Sequence, residues 1–214
     1  KGGGVRVLQV MAGAPHGGAE TAFVDMSLAL HNSGCDIEVV TRPNELRVGQ
    51  LKDSGVTVHT LPFGAALDIY TPSQIKKIIK NYKPHIVQTW MSRASAKVPH
   101  WSFKSGTPKY VVVSRLGGYY KTKYFKNTDY FTTITPDIRQ YLIREGISPD
   151  KVVTINNFAE TEEIVTPVKR SEFDTPESAT VLLVLARLHE AKAIDVLIKA
   201  IKPLENTYLW IAGE

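Results

Sequence analysis

Residues 14–21, Ala14-Pro15-His16-Gly17-Gly18-Ala19-Glu20-Thr21 (APHGGAET), lie between a short apolar run and a run with helical period. Upstream, residues 5–11 (VRVLQVM) are β-rich and apolar, so they read as a strand. Downstream, Phe23, Met26 and Leu30 recur on one face of residues 19–31, and Asn32-Ser33-Gly34 ends that pattern. A plain strand-to-helix connection needs one turn residue. Two adjacent glycines also let another group come close to the backbone. Two readings stay open. Bare amides and the helix dipole at the start of 19–31 suit a phosphate; alternatively, Gly17 and Gly18 let the helix pack closely on the strand.

Moving outward, further strands are predicted at 36–41, 56–61, 86–88, 109–114, 130–135 and 152–156. Helices are predicted at 46–54, at 74–82, at 94–103 with a break at Pro99, and at 136–145, with Pro136 at the favoured first position. Strand and helix alternate, and the strands are continuous Val/Ile/Leu runs. The fold class is therefore α/β, a doubly wound parallel sheet of Rossmann-like type. Ligands of such sheets bind beyond the carboxyl ends of the strands, which is where 14–21 falls. The dinucleotide pattern Gly-x-Gly-x-x-Gly is absent, and so is the phosphate-loop lysine. That argues against other nucleotide-using Rossmann proteins.

Beyond residue 157 the sequence turns polar and loses its period. A first domain is predicted at 5–157, a linker at 158–178 and a second domain at 179–214. The second opens with a buried strand at 180–186 and a helix at 191–201 whose Ile194, Leu197, Ile198 and Ile201 face inward. A strand at 208–212 follows. One strand-helix-strand unit cannot cover its own faces, so residues 179–214 read as the start of a larger Rossmann-like domain.

The chain has 214 residues, 43% hydrophobic and 22% charged. No apolar run is long enough to span a bilayer, and residues 1–4 lack the apolar core of a signal peptide. The single cysteine, Cys35, permits no internal disulfide and no cysteine-based zinc site, which fits a reducing compartment. No metal site is predicted. Charge is unevenly placed. Between Tyr70 and Tyr130 lie twelve Lys or Arg and one acid, Asp129, giving +11 in a chain whose total is +5; the remainder carries −6. Trp90, Trp101, Phe103, Tyr119, Tyr120, Tyr124 and Phe125 interleave with those cations. Such a block suits an anionic membrane surface or a phosphorylated lipid acceptor, or it is a solvated basic face. No nucleic-acid module is recognised, so nucleic acid is not an expected partner.

Four segments resemble the retaining glycosyltransferases of the GT-B fold, family 4. "HGGAE" (16–20) is similar to the family's Gly-Gly-x-Glu loop. "KPHIVQTW" (83–90) is similar to its Pro-Asp-Ile-Val-His strand, with His85 in place of Asp. Residues 132–158 look like its closing unit, in which a helix and a Gly-Ile turn precede a strand. "VLLVLARLHEAKAIDVLIKA" (181–200) resembles the first strand and helix of its donor domain. The block "SRLGGYYKTKYF" (114–125) looks closest to lipopolysaccharide-core sugar transferases.

The resemblance implies a fold and a set of site residues. Residues 5–157 would be the acceptor-side GT-B domain. Gly17 and Gly18 would sit by the donor diphosphate, and Arg187 and Lys192 would neutralise it as it leaves. The donor would be a nucleotide sugar, GDP-mannose or a UDP-hexose. The acceptor would be a lipid-linked acidic saccharide met at the inner, cytoplasmic face of the plasma membrane. The family often has a histidine after the fifth strand. Here Arg115 would be the polar group at that place; it cannot act as a base at neutral pH but could grip an acidic acceptor, and His16 is the remaining nearby histidine. Ala186 and Ala193 replace the family's usual glycines, and its acidic sugar-binding motif has no counterpart up to Glu214. A chain of this extent is therefore expected to be inactive alone. A binding domain with the same fold and no catalysis is the alternative expectation.

Overall fold

The computed structural model describes residues 4–65, 67–158 and 166–213. Its contacts divide the chain into two units, residues 1–160 and 161–214.

The first unit is built on seven parallel strands in the order β3-β2-β1-β4-β5-β6-β7. They are β1 (Arg6–Met11), β2 (Asp36–Thr41), β3 (Thr57–Thr60), β4 (Ile86–Trp90), β5 (Val111–Leu116), β6 (Tyr130–Thr133) and β7 (Val152–Thr154). The chain winds outward from β1 to β3, returns to β4 beside β1, and winds outward again. The two windings use opposite faces of the sheet, and their switch point lies between β1 and β4.

Helices α1 (Gly18–Asn32) and α2 (Glu45–Asp53) bury Phe23, Val24 and Leu51 against Val7, Met11, Val39 and Trp90. Helix α3 (Tyr70–Tyr82) packs Ile75 and Ile79 on the opposite face, against Leu8, Val10, Val87 and Val112. Helix α4 (Met91–Ser95) adds Ala94 to that cluster. Helix α5 (Pro136–Arg144) closes the far end with Ile138 and Leu142 on Phe131 and Val152. Strand residues of odd and even number therefore feed two separate cores, as period-2 alternation in a doubly covered sheet requires.

Several boundaries differ from the sequence reading, each for a local reason. The helix expected at 94–103 is α4, ending at Ser95, and only a 3₁₀ turn, Phe103–Ser105, lies further on. Pro99 lacks an N–H and disfavours helical backbone at Val98. Ala94 and Val98 are both buried, so their spacing imitates a longer helix. Helix α3 begins at Tyr70 rather than 74, because Asp68 closes its first turn. The Asp68 carboxylate accepts from Thr71 N (2.9 Å) and Gly64 N (2.8 Å), and Lys97 Nζ stands 3.1 Å away. The Thr71 hydrogen bonds, before the others, hold its pKa well below the usual carboxylate range. Strand β5 runs from Val111 to Leu116 instead of 109–114. Its pairing with β4 starts at Val111 opposite Ile86 and ends with Arg115 opposite Trp90, which puts Arg115 inside the sheet.

The second unit contains β8 (Thr180–Leu185), α6 (Ile194–Ile201) and β9 (Thr207–Ala212), with β8 and β9 paired in parallel. This is one strand-helix-strand unit. Part of the expected linker belongs to it. A 3₁₀ turn at Arg170–Phe173 leads to Thr175, whose hydroxyl accepts from Trp210 Nε1 at 3.0 Å, and the Phe173 ring lies 5.0 Å from that of Trp210. Residues 159–165 of the expected linker lie outside the described residues.

The helix expected at 191–201 is interrupted. Glu190–Lys192 form a 3₁₀ turn, and Ala193 takes φ 50° before α6 begins. A Cβ costs about 1–2 kcal/mol in that left-handed region. Ala193→Gly is therefore expected to stabilise the second unit by roughly 0.5–1 kcal/mol, after allowing for glycine's extra unfolded-state entropy. The urea unfolding midpoint of the full-length protein reads this directly, and a lowered midpoint would contradict the assignment of Ala193 as strained.

Candidate functional site

The loop after β1 is braced from below. Arg42 donates to the Gly13 carbonyl (3.4 Å), Arg47 to the Ala14 carbonyl (3.1 Å) and Asn44 to the Pro15 carbonyl (3.1 Å). Arg42 also reaches the carbonyls of Pro62 (3.0 Å) and Phe63 (2.5 Å), tying this loop to the end of β3. From above, the Glu20 carboxylate accepts from Ala14 N at 2.7 Å. Gly13 turns at φ 65°, where a Cβ would also run into the Arg47 guanidinium at 2.8 Å. Arg47 is 4% exposed; burial lowers its pKa, and the Glu20 charge opposes that shift. The loop is thus set in place before any ligand arrives.

Gly17 is the N-cap of α1, and no side chain caps the helix there. Gly17 O accepts from Glu20 N and Thr21 N, both at 3.1 Å. The amides of Gly18 and Ala19 are among the four that a helix start leaves without an intrahelical partner. A Cβ built on Gly18 meets nothing within 4 Å, and its φ lies outside the range that favours glycine. Neither packing nor backbone conformation asks for glycine at 18. Close approach of α1 to β1 therefore does not explain it, and the reading in which something approaches the backbone remains. His16 is exposed, and it lines a cleft of about 620 Å³ between α1 and α2 together with Gly17, Glu20 and Arg47.

Arg115 sits elsewhere than a loop reading expects. It is 2% exposed and lies over the Trp90 ring at 5.1 Å, and its Nη2 donates to Asn157 Oδ1 at 2.8 Å. Its Nε and Nη1 are buried without a hydrogen-bond partner, and burial pushes its pKa down. Phe23 also packs edge-on with Trp90, ring centres 5.4 Å apart. Trp90 Nε1 donates to Gln9 Oε1 (2.8 Å), and Gln9 Nε2 donates to Gln88 Oε1 (2.7 Å). This polar core ties α1, β1, β4 and β5 together beside the switch point. Just after it, Met91 takes φ 60°. The buried guanidinium bears on Trp90 and Asn157, with Nε and Nη1 left without a partner among the described residues.

In the second unit, Arg187 follows β8 and Lys192 ends the 3₁₀ turn, five residues on. The intervening turn is tight: Arg187 O accepts from His189 N and His189 O from Lys192 N, each at 2.8 Å, and His189 Nδ1 accepts from Ala191 N at 3.1 Å. Both cations are exposed, and among the described residues neither joins an ion pair. Each unit therefore carries part of the expected site at the carboxyl end of its first strand. Gly17, Gly18 and His16 are together in the first unit, Arg187 and Lys192 are together in the second, and Arg115 is withdrawn into the first unit's sheet. Among the described residues, no three or more His, Cys, Asp or Glu come together in a way that could hold a metal ion.

Residue reading missed Arg42, Asn44 and Arg47. Their signal lies in "TRPNELR" (41–47), where two arginines and a helix-capping asparagine follow the end of β2, beside the β1 loop.

A seven-stranded parallel sheet of this winding, followed by a second strand-helix-strand unit, defines the Rossmann-like half of a GT-B protein. The chain belongs to Glycosyltransferase Family 4, whose model matches residues 16–163. It is 31% identical over 202 residues to the lipopolysaccharide core biosynthesis glycosyltransferase LpsE of Rhizobium meliloti, covering 92% of this chain and 56% of that protein. LpsD of the same organism is 29% identical over 213 residues, covering 98% and 59%. The chain thus spans a little over half the length of these relatives. Among solved structures, a glycosyltransferase from Rickettsia africae superposes with a TM-score of 0.81 at 19% identity, over 99% of this chain and 61% of that one. Anabaena HepE, solved with UDP and glucose, gives 0.70 at 13% identity, over 97% and 60%.

Proposed function

We propose that the protein is a hexosyltransferase. It moves a sugar from a nucleoside diphosphate donor to a lipid-linked acidic saccharide of lipopolysaccharide-core type, with retention of configuration, at the cytoplasmic face of the plasma membrane. The observation that carries the reading is the start of α1 at the sheet's switch point. Its amides are uncapped, the space over Gly18 is open, and the loop before it is clamped by Arg42, Asn44 and Arg47. Such a helix start favours a phosphate through its amides and its dipole. The two core-biosynthesis relatives support the acceptor class, and the UDP-bound fold neighbour supports a nucleotide-sugar donor.

Chemistry then assigns roles. The diphosphate gains negative charge as the glycosidic bond breaks, so cations that meet it in the transition state lower the barrier. Arg187 forks onto two oxygens and Lys192 adds a point charge. Gly17 and Gly18 let the donor lie against the backbone, and His16 stands on the same loop as the nearest imidazole. Arg115 acts as a positioning residue through Trp90 and Asn157.

The test is incorporation of labelled sugar into a truncated lipopolysaccharide core by the full-length protein, with UDP-glucose, UDP-galactose and GDP-mannose offered in turn. Transfer from one of them, with an α-linkage in the product by NMR, is the expected result. Absence of transfer from every donor, with the nucleotide still bound, would replace the enzyme by the binding domain.

A further inference from the structure

Helix α3 turns Lys76, Lys77 and Lys80 outward while Ile75 and Ile79 stay buried. Facing those lysines is the segment between α4 and β5, which carries Lys104, Ser102 and Ser105. Together they line a cleft of about 430 Å³ that contains no acidic residue. His100, which lines the cleft, is joined through Nε2 to Asp129 (2.9 Å), whose other carboxylate oxygen accepts from Val112 N (2.8 Å).

The segment is held in shape from several sides. Tyr110 Oη donates to the Pro99 carbonyl (2.9 Å), Trp101 Nε1 to the Thr107 carbonyl (3.2 Å) and Asn127 Nδ2 to the Val98 carbonyl (2.9 Å), while Ser102 and Ser105 cap each other. In the same turn as Lys104, Phe103 is 93% exposed, with its ring 4.9 Å from that of Trp101. The cleft lies toward the amino ends of the strands, since Tyr110 immediately precedes β5. The loop around Gly18 lies beyond the carboxyl ends, so the cleft is separate from the donor site.

We propose that this cleft binds the phosphate of an anionic lipid headgroup, with Phe103 entering the lipid interface beside it. The inference deepens the reading of the protein as one that works at an anionic membrane, and it names the site of attachment. Four ammonium groups around a cleft of headgroup size give charge complementarity to a phosphodiester, and the hydroxyls of Ser102 and Ser105 add neutral donors. An exposed ring next to clustered cations is the arrangement by which peripheral proteins hold an interface. A solvated basic face accounts for the lysines alone, whereas an interface also takes up the Phe103 ring, which is 93% exposed and meets the Trp101 ring at 4.9 Å.

The test is cosedimentation of the full-length protein with phosphatidylcholine vesicles, with and without phosphatidylglycerol. Binding only to the anionic vesicles is expected. The double variant Lys76→Ala/Lys80→Ala should weaken it about thirtyfold, at five- to sixfold for each basic group lost, and Phe103→Ser should weaken it about tenfold. Thermal midpoints equal to the parent's would show that these exposed changes leave the fold intact. Anionic-vesicle binding that the three substitutions leave unchanged would overturn the cleft while leaving the membrane reading intact. No binding by the parent protein would overturn both. Release of vesicle-bound protein by millimolar inorganic phosphate at constant ionic strength would make this a site for free phosphate and overturn the lipid assignment. None of these readouts depends on turnover, so failure of the transferase reading would be seen separately.

Discussion

Arg187→Ala is expected to lower kcat/KM of the full-length protein by about 10²–10³-fold, with most of the loss in kcat. Arg187 stands at the carboxyl end of β8, exposed and without a carboxylate partner among the described residues. Its removal leaves no buried charge uncompensated, so the unfolding free energy should stay within about 0.5 kcal/mol of the parent's. The kcat weighting follows from the charge. The bound donor already carries its diphosphate, but the additional negative charge appears only as the sugar departs, and an interaction that grows in the transition state acts on kcat. Arg187→Lys should recover part of the loss, because the charge returns without the two-pronged geometry. Lys192→Ala should cost less than Arg187→Ala, since a single ammonium contributes one point contact. Steady-state kinetics with the cognate donor decide the matter. A parent-like kcat in Arg187→Ala would remove the cation from the chemistry and return both residues to the role of a solvated turn.

The doubly wound sheet was legible because parallel strands buried on both faces must be apolar throughout. VRVLQVM and VVVS (111–114) show this in the seven-stranded sheet, where Leu8, Val10 and Val112 are fully buried, and helical periods separate the strands; TVLLVLA reads the same way, yet in β8 of the second unit its Leu183 and Leu185 are 57% and 74% exposed. What failed were decisions set by tertiary contacts. The apolar spacing of Ala94 and Val98 is helical, yet Pro99 and the pairing of Tyr110 with the Pro99 carbonyl send the chain elsewhere. Arg115 looked like a loop residue because a charged side chain is rarely placed inside a sheet. Only the Trp90 ring and Asn157, contributed by positions 25 residues before it and 42 after it, make that burial tolerable. The site divides in the same way. Gly17 and Gly18 were visible as an unusual pair at a strand end. The three side chains that clamp their loop come from beyond the next strand; TRPNELR (41–47) shows two arginines and a capping asparagine there, but not that they reach back to the β1 loop. Which of two glycine roles applies is likewise a question about empty space, which a sequence does not contain.

That question leads to the second large effect. Gly18→Val is expected to reduce kcat/KM about 10²-fold or more, by holding the donor diphosphate off the amides that start α1, while stability stays level or rises slightly. The two roles for this glycine predict opposite signs. If glycine were needed so that α1 could pack on β1, a valine would clash and the protein would unfold more readily. A Cβ at the position meets nothing within 4 Å, and valine has a somewhat better helix propensity than glycine, so the folded state is expected not to suffer. If glycine is there so that a ligand can come close, the methyl groups of valine cost binding alone. Gly18→Ala should fall between, since one methyl shields less of the amide than three carbons do. Urea midpoints and donor kinetics on both variants separate the cases. Lowered stability with intact turnover per folded molecule would make Gly18 a packing residue. Intact stability with lost turnover would place the diphosphate over the start of α1. The nucleotide's dissociation constant should then rise with the loss in kcat/KM, because the blocked contact is to the part of the donor that nucleotide and transition state share.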